Sequence, residues 1–109
     1  MDAALKALAE PRRREIVRLV WGRELPATDI ADHFAEVTRS AISQHLGVLK
    51  AAGLVIERRD GTRRLYRADR AEMKKLRKSL DDYWTTGLER LRDVAEAAQA
   101  KKPKRKGRK

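Results

Sequence analysis

Apolar positions recur at helical spacing along the first half of the chain, alternate briefly, and then return to helical spacing. Leu5 and Leu8 stand three apart in a short stretch, residues 2–9. Ile16, Val17, Leu19 and Val20 give residues 11–21 an apolar side. Pro11 opens that helix, where its missing N–H costs nothing, and Gly22 ends it. Ile30, Ala31 and Phe34 keep helical spacing from Pro26 onward, although Pro26 has no side-chain oxygen to offer the free amides. A fourth helix is predicted over 39–52, "RSAISQHLGVLKAA", in which Ile42, Leu46 and Leu49 call for a core. Ser43, Gln44 and His45 sit among them. Thr38 suits the N-cap, Gly53 the left-handed position past the end, and Leu54 the apolar contact that seals it. "EVT" then makes a tight connection of three or so residues, a helix-turn-helix arrangement.

The period changes at "LVIERR" and "RRLYRAD", two strand-like runs around "DGT". Asp-Gly favours a hairpin because both turn positions tolerate positive φ. Alternation puts Val55 and Leu65 inward and leaves arginines outward. Asp69 caps a last helix, with Glu72 at capping-box spacing. Met73, Leu76, Leu80, Tyr83, Trp84, Gly87, Leu88, Leu91, Val94 and Ala98 mark its stripe over 70–98. Such a helix is about 40 Å long. A domain of this size has a radius of gyration of about 13 Å, so the stripe is expected to outrun its own core and meet a second copy of the chain.

This order of elements predicts a mainly α fold with a small β-hairpin wing: a winged helix-turn-helix with a long C-terminal dimerisation helix. Its domain would span residues 1–99, followed by a disordered basic tail over 100–109. Composition sharpens the picture. The 109 residues are 41% hydrophobic, ordinary for a globular chain, and carry a net charge of +11. Seven basic residues and no acid lie in 101–109, so the rest carries only +4. A basic balance calls for an anionic partner, and the arrangement names double-stranded DNA. There is no cysteine, hence no disulfide framework or thiolate metal site. No apolar run approaches a membrane span, and the start lacks the layout of a signal peptide. A cytoplasmic protein without a membrane partner is expected.

A recognition helix needs a first turn small enough to enter a major groove and polar enough to bond base edges. Thr38, Arg39, Ser40, Ser43 and Gln44 meet that need, with His45 beside them. Arg39 can pair with guanine O6 and N7, and Gln44 with adenine N6 and N7. Arg58, Arg59, Arg63 and Arg64 ring the hairpin tip, placed for phosphates or a minor groove. The bland alternatives are a solvated helix face and edge-strand protection. Arg12, Arg13 and Arg14 read as a solvated face or ion-pair partners, and His33 beside Phe34 as a partly buried structural histidine. Trp21, Tyr83 and Trp84 read as core or interface. Asp81 and Asp82 are adjacent and diverge on a helix, and no nucleophile or phosphate loop is visible, so no enzyme is expected.

The segments "LKALAEPRRREIVRLV", "IADHF", "VTRSAISQHLGVLKAAGLV" and "ERRDGTRRLYR" together resemble the ArsR (SmtB/ArsR-like) family of bacterial transcriptional repressors over residues 3–98. The resemblance implies a homodimer that binds an operator, with the first and last helices at the interface; two recognition helices in successive major grooves then predict an imperfect inverted repeat. Leu5, Leu8, Leu80, Trp84, Leu88 and Leu91 are the residues placed there. Family sensors carry a cysteine pair near the third helix, where this chain has "ELPATDIA", or Asp/His ligands on the last helix, where 71–98 lack histidine. No metal or cofactor is therefore carried over, and the chain resembles the branch without those motifs. No effector is named by the pattern. A sequence-nonspecific architectural nucleic-acid binder is the alternative, and a protein-interaction module a third.

Overall fold

The computed structural model describes residues 1–101, so from residue 102 onward the expected basic tail lies outside the described residues. The elements are α1 (Asp2–Leu8), α2 (Pro11–Leu19), β1 (Leu25–Pro26), α3 (Ala27–Asp32), α4 (Arg39–Ala51), β2 (Val55–Asp60), β3 (Arg63–Ala68) and α5 (Arg70–Lys101). The chain divides after Leu76 into two units. The first holds the winged helix-turn-helix and the start of α5, and the second is the continuation of α5 from Arg77.

Local chemistry sets most boundaries in the first unit. Pro11 stands at the start of α2, and the Glu10 carboxylate accepts from the Arg12 amide at 2.6 Å, a cap the sequence reading did not anticipate. The helix ends at Leu19, two residues earlier than expected, and Gly22 turns the chain at φ +82. Pro26 makes no side-chain cap for α3, as its chemistry requires. That helix stops at Asp32, so Phe34 lies beyond it and residues 33–38 form a connection longer than "EVT" alone. His33 is correspondingly exposed rather than partly buried, because it occupies the C-cap. Thr38 Oγ1 accepts from the Ala41 amide at 3.0 Å and starts α4. At the other end Leu54 N–H donates to Leu49 C=O (2.9 Å) and Gly53 N–H to Lys50 C=O (3.0 Å), with Gly53 at φ +78. That pair of bonds is a Schellman end, and it buries Leu54.

The sheet is three-stranded and antiparallel in the order β1-β3-β2. β1 was not foreseen: two residues long, it has no period of its own, and it exists because Leu25 and Pro26 pair with Tyr66 and Leu65. The hairpin register pairs Asp60 with Arg63, leaving Gly61 and Thr62 as the loop. Only Gly61 has positive φ (+65), so Asp60 is the last paired strand residue and not a turn position. A two-residue loop also changes parity between the strands. Val55 faces with Ala68, whereas Leu65 faces with Arg58, so Val55 and Leu65 lie on opposite faces rather than one. Both are buried, as is Tyr66, because the base of the hairpin is covered on both sides.

The core of this unit gathers Ile16, Val20, Ile30, Ile42, Leu46, Leu49 and Leu54. α1 contributes Ala4 and Ala7 to it and leaves Leu5 exposed and Leu8 half-buried. Two backbone bonds close the unit: Ala68 N–H to Val20 C=O at 3.0 Å, and Asp69 N–H to Leu54 C=O at 2.9 Å. Asp69 Oδ1 accepts from the Glu72 amide at 3.1 Å, which starts α5. The Glu72 carboxylate is paired with Lys75, so only half of the anticipated capping box is seen. Trp21 is not core. It is exposed, with the Arg70 guanidinium 5.5 Å from its ring centroid.

In the second unit, α5 runs three residues beyond the expected Ala98. Tyr83 and Trp84 meet edge to face at 6.2 Å. They are exposed together with Leu88, Leu91 and Val94, so among the described residues this stripe is neither core nor covered.

Candidate nucleic-acid interface

α4 separates its two faces cleanly. Ile42, Leu46 and Leu49 are buried, while Arg39, Ser40, Ser43, Gln44, Gly47 and Val48 are exposed. Three core side chains at spacings of three and four hold the helix by one side and present the other. Gly47 and Val48 extend the exposed strip and were not singled out from the sequence. A Cβ built on Gly47 would meet nothing within 4 Å, so the fold does not demand glycine there.

The expected contact residues differ in how free they are. Thr38 uses its oxygen as the cap acceptor, which leaves its hydroxyl hydrogen to donate. Arg39 stands 3.6 Å from the Asp32 carboxylate, with both side chains about 70% exposed. Ser40, Ser43 and Gln44 make no side-chain hydrogen bond among the described residues. His45 is half-buried, and its Nδ1 accepts from Arg13 Nε at 3.2 Å. Only Nε2 is left for another partner. Arg13 also reaches the Lys6 and Ala7 carbonyls, and Arg14 the Leu8 carbonyl at 2.7 Å. These two arginines therefore dock on the negative end of α1, beyond the solvated-face or ion-pair role expected of them.

The four wing arginines divide between the two faces of the hairpin. Arg59 and Arg64 are cross-strand partners on the face of Val55, Glu57 and Tyr66. Arg58 and Arg63 lie on the face of Leu65. All four are exposed. Arg58 is nevertheless committed: Nε and Nη2 each donate to the Glu24 carboxylate at 2.8 Å. Arg64 Nε stands 3.2 Å from Glu57, which also accepts from Lys50 Nζ at 2.7 Å. Arg63 meets Asp60 at 3.4 Å, and Arg59 has no ion-pair partner among the described residues. The hydrogen bond from Arg58 holds the Glu24 carboxyl below the usual range against the opposing effect of burial, and that from Lys50 does the same for Glu57.

Glu24, Glu57 and Lys50 were missed by sequence reasoning, which read Arg13 as a solvated face or ion-pair partner and not as the support of His45. Glu57 left a signal, as the lone acid among the inner wing residues. Glu24 left none, since it lies 34 positions from Arg58. Among the described residues no three His, Cys, Asp or Glu side chains converge as metal ligands would. No helix there is long and apolar enough to cross a membrane.

A sequence profile described as bacterial regulatory protein, arsR family, matches residues 10–57, from the start of α2 into β2. The HTH-type transcriptional regulator Rv2034 of Mycobacterium tuberculosis is 44% identical over 80% of this chain and 80% of its own length. This chain belongs to the ArsR family. Other relatives of this ArsR-family protein include the transcriptional repressor SdpR of Bacillus subtilis, 39% identical over 56% of the chain and 67% of SdpR. The transcriptional activator HlyU of Vibrio cholerae is 34% identical over 64% of each. Among solved structures, the homodimeric winged helix-turn-helix DNA-binding domain Mb0332 of Mycobacterium bovis, a possible ArsR-family regulator, superposes with a TM-score of 0.60. It is 34% identical, over 74% of this chain and 77% of that one. The ArsR-family chain is accordingly a transcriptional regulator with a winged helix-turn-helix DNA-binding domain.

Proposed function

We propose that this regulator is a homodimeric repressor that reads an inverted-repeat operator in double-stranded DNA. The observation that carries the reading is the exposed, uncharged polar strip of α4, Ser40, Ser43 and Gln44, on a helix anchored by buried Ile42, Leu46 and Leu49. Arg39 and Gln44 select bases, Thr38, Ser40 and Ser43 bond phosphates or bases, and His45 donates through Nε2. Arg59, Arg63 and Arg64 of the wing neutralise phosphates, with Arg58 beside them.

Dimerisation uses the exposed apolar stripe of α5, Trp84, Leu88 and Leu91 with half-buried Leu80, together with Leu5 and Leu8 of α1. Two copies related by a two-fold axis set their recognition helices in successive major grooves, about 34–36 Å apart. Residues 1–99 form the DNA-binding and dimerisation domain, and 100–109 a basic arm that adds nonspecific attraction. The protein acts in the cytoplasm. A dimer seated on promoter DNA excludes polymerase, which is the physical basis of repression, and SdpR is a repressor by name.

The test is selection of bound sequences from random duplexes by the purified protein, followed by a promoter reporter carrying the selected site. Enrichment of an inverted repeat and reduced reporter output support the reading. Equal affinity for scrambled duplexes would replace it with a sequence-nonspecific architectural role, and raised output would replace repression with activation.

A further inference from the structure

DNA phosphates repel carboxylates on a protein surface that faces them, yet the wing is held by two. Glu57 sits on one face of the hairpin and bridges Lys50, in the last turn of α4, to Arg64 of β3. Glu24, just before β1, grips Arg58 of β2 on the opposite face with both oxygens. Both acids are more sheltered than their partners. The Glu57 side chain is 12% exposed and that of Glu24 26%, against 53–57% for Lys50, Arg58 and Arg64.

The placement matters because, among the described residues, the distal hairpin makes no other side-chain bond to the rest of its unit, Arg63 meeting only Asp60 within the tip. From Arg58 to Arg64 every residue is exposed, so no apolar packing fixes the tip. A two-stranded ribbon without a packed face is only marginally ordered in water. One tie runs to the recognition helix and the other to the strand-entry loop. Being on opposite faces, they oppose rotation of the hairpin in either sense. A bidentate guanidinium–carboxylate pair adds direction as well as attraction.

We propose that Glu57 and Glu24 are positioning residues that clamp the wing against the recognition helix, strengthening operator binding although their charge opposes DNA. Arg58 is then an anchor of the wing before it is a phosphate contact. The inference rests on the operator-binding reading above.

Simple electrostatics and the clamp make opposite forecasts. Removing a negative charge near phosphates strengthens binding to any duplex. Releasing the wing weakens the operator complex alone, since only that complex needs the wing and the helix in register. The experiment measures affinity of the full chain and of Glu57→Gln for the selected operator and for a scrambled duplex of equal length, over a salt series. The clamp predicts operator affinity about tenfold weaker and scrambled affinity unchanged or tighter. Operator affinity that is unchanged, that tightens with the scrambled duplex, or that weakens in parallel with it overturns the proposal.

The second arm exchanges the charges of the other tie. Glu24→Gln should weaken operator binding, and the double variant Glu24→Arg with Arg58→Glu should return it to within about threefold of the parent. A double variant as weak as Arg58→Ala would show that the guanidinium is needed at the DNA, and would overturn the anchor role. A parent protein that prefers no duplex would instead refute the operator reading, which separates the two failures.

Discussion

Helices α4 and α5 are both two-faced, yet what they leave exposed is opposite in character. α4 buries its apolar residues within its own unit and exposes Ser40, Ser43 and Gln44. From Arg77 onward α5 exposes Tyr83, Trp84, Leu88, Leu91 and Val94, with Trp84 at 61% and Leu91 at 66%. An exposed polar strip is stable in water and can exchange water for base edges at little cost. An exposed apolar stripe is unfavourable in water by about 25 cal/mol for each Å². In the proposed function the first is a reading surface and the second an assembly surface, and each predicts a different response to substitution.

Breaking the assembly surface has the largest expected effect. Trp84→Glu with Leu88→Glu should give a monomer in analytical ultracentrifugation. Operator affinity should fall by about 10²–10⁴, the loss expected when two half-sites are no longer linked. A dimer that persists in this variant would show that α5 does not join the copies. Next is the buried side of α4: Leu46→Ala should destabilise the fold by about 2–5 kcal/mol, read by denaturant melting. A much smaller loss would mean that α4 is not held by its core face.

The reading surface itself should respond more gently. Arg39→Ala or Gln44→Ala should each weaken operator binding by about 1–3 kcal/mol and relax preference at one base position, with the melting transition unchanged. For Arg39 the release of Asp32 offsets part of the loss, so Gln44 is the cleaner probe. An unaltered selected sequence would remove these side chains from readout.

The smallest effect is that of pH. Glu24 and Glu57 have carboxyl pKa values lowered in the folded state, by hydrogen bonds from Arg58 and Lys50 respectively. The folded state thus prefers them ionised. Their stabilisation is complete above the ordinary carboxylate range, about 4.3, and is lost as pH falls through the lowered folded values. Thermal melts of Glu24→Gln and Glu57→Gln should converge with the parent in acid and diverge near neutrality. Parallel curves at every pH would show that neither carboxylate is paired in solution.

Which features were legible follows from range. Thr38, Gly53, Leu54 and Asp69 were assigned correctly because a cap bonds residues two to five positions away, and such chemistry is written locally. The exposed polar strip of α4 was legible for the same reason, since helical period alone divides residues 39–51 into two faces. The exposure of the wing arginines was legible, but not the partners of Arg58 and Arg64. Arg58 and Glu24 lie 34 positions apart, and Arg13 and His45 lie 32 apart. Nothing in either neighbourhood announces the other.

By itself, then, the sequence determined the order of the helices and the hairpin, the polar face of α4, the apolar stripe of α5 and the basic tip. Each depends on period, capping or composition within one segment. Only the tertiary structure decided the strand β1, the opposite faces of Val55 and Leu65, the burial of Ala4 and Ala7 in place of Leu5, and the carboxylates that hold the wing. Those depend on register and on contacts between distant segments, and neither exists until the chain has closed upon itself.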